Sequence, residues 1–423
     1  MALPAGIYHG PGDRPGRFFG LLLLTTTEGC DARTAGSVLN DLWLLYRGLQ
    51  EGRVPDLAPT TVAHGHDNAT FLLGIGPAAF ALPGAAQMRP VGLHEDHQFA
   101  APLAGGGGSV VRGSGLEYAP QVTTNPASAA FGVQVIADTK LAVDRAVVET
   151  WKHLTDVADP DTGQSALRLE SFYLGFQRPD HRSWIDFHDG LSNMDSAERE
   201  AAITIDSALP ADRWTVGGAY LTFLRLAVDL TAWRRLDRVA QELLVGRDKL
   251  SGCPLVGVDG DGRPVSDSGC PVAGTQIWET PNDPHFAEPP ATDDPVIRAS
   301  HVQRANHHQP AALPGSRRIF RQGYEFLEWQ DQQPGFRAGL NFVSFQDTPE
   351  RVVQLLTNEG WLGRVNFGGD AAAQPPGMAS LLSVYAAGNF VVPPDDGEEL
   401  PGASLFGLQP VAADRERVRM ERS

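Results

Sequence analysis

The chain has little positive charge for its size: 34 Lys and Arg residues stand against 51 Asp and Glu residues, a formal net charge of −17. A surface of that sign repels nucleic acid and anionic membranes, so neither is expected as a partner. The longest early apolar run, Phe18–Leu24, is long enough for a strand but too short for a membrane span. The N-terminus also lacks a cationic signal region, which predicts a cytoplasmic location.

Cysteine is scarce as well, with three residues in a chain of 423. So few cysteines exclude a disulfide framework and favour a reducing compartment. Cys253 and Cys270 stand in similar contexts, SGCPLVG and SGCPVAG, so a single bridge between them stays open. The chain contains no CxxC pair and no HExxH motif, and the usual sequence signatures of a zinc site are therefore missing.

Short apolar segments alternate with amphipathic helical ones, and this alternation predicts an α+β protein. The strand-like segments are Phe18–Leu24, Ala69–Gly76, Phe131–Ala137, Leu167–Phe176 and Gly339–Gln346. Two strand–helix–strand units suggest two related domains whose antiparallel sheets carry helices on one face. The predicted divisions are an N-terminal tail at 1–15, a first domain at 16–122, a second domain at 123–400 and a C-terminal tail at 401–423.

Several polar segments resemble binding motifs but lack the partners that those motifs need. The glycine-rich run Leu103–Gly115 is not followed by the GK[ST] of a phosphate loop. Asp259–Asp267 begins like a calcium loop but leads to Cys270 where glutamate is required. Paired-carboxylate hydrolysis by Asp186 and Asp189 is a weak alternative, because side chains three apart in a tight loop have no fixed separation. The histidine groups that could ligate zinc are His181 with His188, His301 with His307 and His308, and His64 with His66.

Three residues from separate segments form a more coherent set. Asp189 lies in DFHDGLSNM, His301 in ASHVQRAN and Arg321 in RRIFRQGYEF. A neutral imidazole can bind haem iron on one side of the haem. On the other side a carboxylate can move a proton between the two oxygens of bound peroxide, and an arginine can stabilise the charge that develops as the O–O bond breaks. Each residue alone also fits an ordinary surface or turn role.

These segments resemble motifs of the dye-decolorizing peroxidases, a family of haem enzymes. DFHDG resembles the family's GxxDG motif, SHVQRAN its proximal-ligand segment and RRIFRQGY the arginine segment that follows. LVGRDKLSGCPL, GLNFVSFQ, NFVVPP and IGPAAF also resemble family stretches, and the resemblance spans most of residues 16–395. It implies two ferredoxin-like α+β domains with antiparallel sheets and helices, and a b-type haem (heme b, with its iron) in the C-terminal domain.

The resemblance also implies roles for single residues. His301 would be the proximal ligand of the iron, Asp189 the distal acid/base beside Gly190, and Arg321 the distal cation. Arg225, in AYLTFLRLAVDL, is the candidate for a contact with a haem propionate. The implied activity uses hydrogen peroxide to oxidise a small organic reductant, such as a dye or a phenol, by one-electron steps through a ferryl intermediate. A homo-oligomer is compatible with this assignment.

One position departs from the family motif. Asp186 stands where the family has glycine, a residue that indicates a close backbone approach or an unusual backbone angle. An aspartate there could reshape the loop, or bring a second negative charge near Asp189 and raise the pKa of one of the two acids. Two other functions therefore stay open: a haem-dependent oxygenase or natural-product tailoring enzyme on the same fold, and a binding module without cofactor. An aspartate base, whose ordinary pKa is about 4, predicts activity favoured at acidic pH.

Overall fold

The computed structural model describes most of the chain. The described residues are 3–10, 13–55, 68–93, 99–102, 108–111, 117–118, 129–188, 194, 196–206, 210–270, 289–305, 318–331, 335–352, 381–395 and 400–408. Within these ranges, no helix is both long enough and apolar enough to cross a membrane.

The first half of the chain forms a four-stranded antiparallel sheet with two helices on its outer face. Its elements are β1 (Phe18–Thr26), α1 (Ala32–Gln50), β2 (Thr70–Ile75), a 3-10 turn (Pro77–Ala81), the short strands β3 (Phe99–Pro102), β4 (Gly108–Val111) and β5 (Glu117–Tyr118), then β6 (Phe131–Ala137), α2 (Lys140–Asp156) and β7 (Leu167–Phe176). β1 lies between β6 and β7, and β2 pairs with the other edge of β6. Two strand–helix–strand units in one sheet make this a ferredoxin-like domain.

The second half repeats this sheet order. Its elements are α3 (Ser196–Ile203), a 3-10 turn (Pro210–Thr215), β8 (Ala219–Val228), α4 (Leu230–Trp233), α5 (Arg238–Val245), β9 (Leu255–Val258), β10 (Pro264–Ser266), α6 (Pro295–Arg298), α7 (His301–Ala305), β11 (Phe320–Arg321), β12 (Tyr324–Trp329), β13 (Phe336–Gln346), β14 (Leu382–Val392) and a 3-10 turn (Ala403–Phe406). β8 lies between β13 and β14, while β12 and β11 pair in succession with the other edge of β13.

The two sheets close into one ring of strands. One residue pair joins β7 to β12, Phe176 with Glu325, and another joins β2 to β14, Ile75 with Val391. The inward faces share an apolar core in which the ring of Phe19 stacks at 6.4 Å on that of a phenylalanine of β8. Helices α1 and α2 cover the outer face of the first sheet with a core of their own. The short helices of the second half cover the outer face of the second sheet.

The predicted domain boundary between residues 122 and 123 is wrong, because β6 and β7 complete the first sheet. They are the two strands that pair with β1, which lies between them. The two strand–helix–strand units seen in the sequence are the halves of one ferredoxin-like domain that extends to Phe176, and the second domain follows it. The predicted fold class, α+β with two ferredoxin-like domains, is confirmed.

The N-terminal segment is not a free tail over its described residues. Ile7 is 4% exposed and packs in the core between the sheets. The carbonyl of Gly6 accepts hydrogen bonds from the side-chain amides of Gln134, at 3.0 Å, and Gln322, at 3.1 Å. Since Gln134 belongs to the first sheet and Gln322 follows β11, the segment ties the two sheets together.

The predicted C-terminal tail also starts too early, because residues 401–408 pack on the first domain. Leu405 and Phe406 are buried in the core beneath α1. A Cβ atom on Gly36 of α1 would lie 2.4 Å from the Phe406 Cβ, so glycine permits this close approach. Residues 409–423 lie outside the described part of the chain.

Cys253 and Cys270 form a disulfide, with their Cα atoms 6.0 Å apart. The bridge closes the loop that carries the hairpin of β9 and β10, and both cysteines are buried. The bridge that the sequence left open is therefore present, against the expectation of reduced cysteines. Cys30 is the free cysteine.

Candidate functional site

Four strands carry one polar residue each at the same level of the second sheet. The register places Ser344 of β13 opposite Thr222 of β8, and Thr222 opposite Asn389 of β14. On the other side of β13, Arg321 of β11 lies opposite Ser344. Directly opposed residues of neighbouring strands point to the same face, so these four residues form one line, here called the polar row. The polar row lies on the outer face, since Leu224, two residues from Thr222, packs in the outer cluster.

The polar row is buried and only partly hydrogen-bonded. The Thr222 hydroxyl donates to Asn389 Oδ1 at 2.9 Å and accepts from Gln346 Nε2 at 3.0 Å. Over the described residues, the buried Ser344 Oγ and Gln346 Oε1 atoms have no hydrogen-bond partner. Buried polar atoms of this kind cost free energy unless water or a bound group satisfies them. The polar row therefore indicates one wall of a binding site.

His301 begins the short helix α7, which covers the same face of the sheet. Ala305, at the other end of α7, packs in one apolar cluster with Leu224 of β8 and Ile319, two residues before Arg321. The side chains of His301 and Arg321 are both half-buried. The structure thus brings the His301 segment and the Arg321 segment to one face of one sheet.

The DFHDG loop lies beside the same helix. Phe187 shares a second apolar cluster with Val302, the residue after His301. The chain is described as far as His188 and resumes beyond the next residues of the motif. Asp189 and Gly190 lie outside the described residues, so their distal position stays a prediction.

Arg182 fixes this loop to the turn that follows α5. Its guanidinium donates to the backbone carbonyls of Asp186 and Lys249, both at 2.7 Å, and of Leu250 at 2.8 Å. These three bonds hold the loop at a defined place on the second domain. Arg182 was not among the residues predicted from the sequence, since an arginine that binds only carbonyls has no motif.

Asp186 adopts the backbone conformation expected of the family's glycine. Its φ angle is +66°, in the left-handed region, and its N–H donates to the Ser183 carbonyl at 2.9 Å. The prediction of an unusual backbone angle at this position is confirmed. The Asp186 carboxylate is 62% exposed and lies 4.0 Å from Arg178 Nη1 and 3.9 Å from Lys249 Nζ. These two cations partly neutralise the negative charge that Asp186 brings to the loop.

Two substitutions of Asp186 should separate backbone strain from charge. Both Asp186→Gly and Asp186→Ala remove the carboxylate, but only glycine adopts a left-handed φ without steric cost. We expect the glycine variant to have a free energy of unfolding about 1 kcal/mol higher than that of the alanine variant. Urea unfolding followed by circular dichroism measures the difference. Equal stabilities would contradict a strained backbone at this position.

Arg225, expected to contact a haem propionate, lies on the opposite face of the sheet from the polar row. It is paired with Asn341 of β13, three positions from Ser344, and successive residues of a strand alternate between faces. Its guanidinium donates to Asn341 Oδ1 at 2.7 Å and to Glu328 Oε2 at 2.5 Å. The structure contradicts the assignment of Arg225 to the cofactor and gives it a buried ion pair inside the strand ring.

The alternative of a protein-only metal site finds no support among the described residues. The rings of His181 and His188 stack with their centroids 6.1 Å apart. In the part of the chain that the structure describes, however, no group of three or more His, Cys, Asp or Glu side chains could hold a metal ion. The other predicted zinc ligands lie outside the described residues; they are His64, His66, His307 and His308.

Sequence reasoning missed two features of this site. One is the polar row, whose signal is a single polar residue within each of three apolar strands: Thr222 in AYLTFLRLAV, Ser344 in GLNFVSFQ and Asn389 in AAGNFVV. The other is Arg247, which stands in the segment LVGRDKLSGCPL that the family resemblance includes. Arg247 is buried, so its charge belongs to the interior rather than to the solvent.

Comparisons of sequence place these observations in a family. The model of the C-terminal region of DyP-type peroxidases matches residues 180–396, slightly more than half of the chain. The chain is 34% identical over 142 residues to the dye-decolorizing peroxidase of Thermobifida fusca (strain YX), which covers 33% of this chain and 27% of that protein. It is 24% identical over 225 residues to a deferrochelatase of Shigella flexneri serotype 5b (strain 8401), covering 52% and 47%. The matches span less than half the length of these curated relatives.

Comparisons of structure cover nearly the whole chain. The crystal structure of a DyP-type peroxidase from Cellulomonas bogoriensis matches with a TM-score of 0.65 and 20% identity, over 96% of this chain and 98% of that one. A DypB variant from Rhodococcus jostii RHA1 in complex with heme matches with a TM-score of 0.57 and 16% identity, over 94% and 97%. These likenesses establish the fold. With the family model that matches residues 180–396, they lead to one conclusion: the chain belongs to the DyP-type peroxidase family.

Proposed function

We propose that this protein is a haem peroxidase that uses hydrogen peroxide to oxidise small organic molecules. The observation that carries the proposal is that the His301 segment, the DFHDG loop and Arg321 lie together on the outer face of the second sheet. The family resemblance gives each of these segments a part in peroxide chemistry. The name of the Thermobifida fusca relative supports the same activity.

The described residues of the site fit a haem. The site has an apolar floor on which a flat macrocycle can pack, built from Leu224, Leu382, Val384 and Ala387. The His301 imidazole can supply the axial ligand that the macrocycle itself lacks. Arg321 supplies positive charge for an anionic group, and Ser344 supplies an unsatisfied buried hydroxyl. Because the Rhodococcus jostii neighbour was solved in complex with heme, we propose heme b with its iron as the cofactor here.

The proposed roles follow from the chemistry of each side chain. The haem, when bound, would supply the iron at which peroxide is reduced. His301 would hold that iron from one side through a neutral imidazole nitrogen. Asp189 would take a proton from one peroxide oxygen and return it to the other, so it must be ionised when peroxide arrives. Arg321, whose charge is permanent, would stabilise the negative charge that develops on the departing oxygen.

The proposed partners are hydrogen peroxide and a small organic reductant such as a dye or a phenol. A cytoplasmic location and a homo-oligomer stay predictions of the sequence, since no observation on the described residues tests either of them.

Absorption spectra of the reconstituted protein test the proposal. Apoprotein mixed with ferric haem should give a Soret band and should then oxidise a phenol only when hydrogen peroxide is added. His301→Ala should bind haem at least about 10- to 100-fold more weakly, because losing even an outer partner of a metal ligand costs that much. Imidazole added to the buffer should restore part of the band. His153→Ala, on α2 of the first domain, is the matched control and should bind haem like the wild type.

The outcomes separate the alternatives. The absence of a Soret band in the wild type would contradict the haem assignment and favour a binding module without cofactor. A Soret band accompanied by product formation with dioxygen and a reductant, but not with hydrogen peroxide, would favour the oxygenase.

A further inference from the structure

A second arginine, Arg247, reaches the site from the side of the proximal segment. It follows Gly246, which ends α5 with a φ angle of +87°. A Cβ atom on Gly246 would lie 2.3 Å from Ser300 Oγ and 2.7 Å from Val302 Cγ2. Gly246 therefore packs directly against the two residues that flank His301, and Arg247 is the next residue along the chain.

The position of Arg247 is fixed by its surroundings. The side chain is 4% exposed, and its Nη1 donates to the Gly252 carbonyl at 2.8 Å. Its backbone forms a bridge with Pro254, and the disulfide begins at Cys253 in the same turn. A guanidinium held in this way loses little conformational freedom when it binds a ligand, which favours binding.

Arg247 and Arg321 lie close enough to act on each other. Burial, with the added effect of the Arg321 charge, lowers the pKa of Arg247 to about 10. At neutral pH both guanidiniums therefore still carry their charge. Two like charges in a buried site repel each other, and a ligand with negative charge near both would relieve that repulsion.

We propose that Arg247 binds a carboxylate of the haem through charge-assisted hydrogen bonds; this rests on the haem function proposed above. Arg247 adjoins the proximal segment and also lies near Arg321, which we place on the distal side. A residue near both sides of a bound macrocycle lies at its edge, where the haem carboxylates are. A guanidinium suits this role because its charge is permanent and its donors match the geometry of a carboxylate. The contact that the sequence assigned to Arg225 thus passes to Arg247.

A cycle that removes the arginine and the carboxylates separately tests this proposal. Arg247→Gln should weaken the binding of ferric haem to the full-length apoprotein by about 10- to 100-fold, the range for a lost hydrogen bond to a charged group. The dimethyl ester of ferric haem lacks both carboxylate charges. With the ester, wild type and Arg247→Gln should bind with nearly equal affinity. Titration of the Soret band gives all four dissociation constants without any turnover.

Two further variants serve as controls. Arg247→Lys keeps the charge without the guanidinium geometry and should bind haem with an affinity between those of the wild type and Arg247→Gln. Arg234→Gln removes an exposed arginine from the same part of the chain and should bind haem like the wild type. Circular dichroism of each apoprotein checks that the fold is kept.

The two proposals fail in different ways. Equal losses of affinity for haem and for its ester in Arg247→Gln would overturn the carboxylate contact, because the effect would then be structural, while the haem function would stand. A wild-type protein that shows no His301-dependent binding of haem would overturn the haem function and the Arg247 contact together.

Discussion

Replacing Asp189 with alanine should slow the consumption of hydrogen peroxide by the haem-reconstituted protein about 100- to 10,000-fold, the usual contribution of a positioned acid–base group. Alanine cannot take or return the proton, whereas His301 is untouched, so the Soret band should remain. Stopped-flow absorption over a range of pH measures the rate. An ordinary aspartate pKa is about 3.9, so the wild-type reaction should persist in acid where a histidine base would be protonated.

The matched control is Asp186→Asn, in the same loop. It removes a carboxylate but keeps a residue type that tolerates the left-handed backbone of position 186. Its reaction with peroxide should stay close to that of the wild type. Equal slowing in both variants would point to the charge of the loop instead of a base at Asp189. A wild-type rate that is flat from about pH 4 to about pH 8 would also count against Asp189.

The variant Arg321→Leu should slow the same reaction by about 100- to 1,000-fold, the loss seen when one donor to a developing negative charge is removed. Leucine can occupy much of the space of Arg321 opposite Ser344 on the polar row, but it carries no charge. Arg321→Lys should be intermediate, since it keeps the charge and loses the planar fork. Stopped-flow mixing with peroxide gives the rates, and a separate titration gives the haem affinity of each variant.

That separate titration decides how Arg321 acts. An unchanged peroxide rate in an Arg321→Leu protein with a full Soret band would contradict the distal role. A loss confined to haem affinity would place Arg321 beside Arg247 as a partner of the haem carboxylates.

The strands could be predicted from the sequence because each is a short apolar segment between turns. β6 and β7 have the predicted bounds, Phe131–Ala137 and Leu167–Phe176. Periodicity does not show which strands share a sheet, because that depends on the packing of the whole domain. The pairing of β1 with β6 crosses the predicted boundary at 122/123, which was placed between two units that look alike in sequence. The internal repeat of one ferredoxin-like domain was thus taken for two domains.

For the site, residue types could be predicted and sheet faces could not. Thr222 and Arg225 lie three apart in β8, so their alternation places them on opposite faces. Nothing local indicates which face carries the site. A charged residue within an apolar strand was the obvious candidate, and only the tertiary structure shows that Glu328 neutralises Arg225. The glycine-like angle of Asp186 was anticipated because that property belongs to the motif itself.

The ring of strands also determines where the molecule can flex. Its two sheets meet at two seams, and each seam has one residue pair, Phe176 with Glu325 and Ile75 with Val391. Local opening is easiest where the fewest hydrogen bonds must break, so breathing motions concentrate at these seams. The polar row lies elsewhere, on strands that pair continuously from Gly339 to Gln346. The domains can therefore hinge against each other at the seams while the wall of the pocket keeps the rigidity of a single sheet.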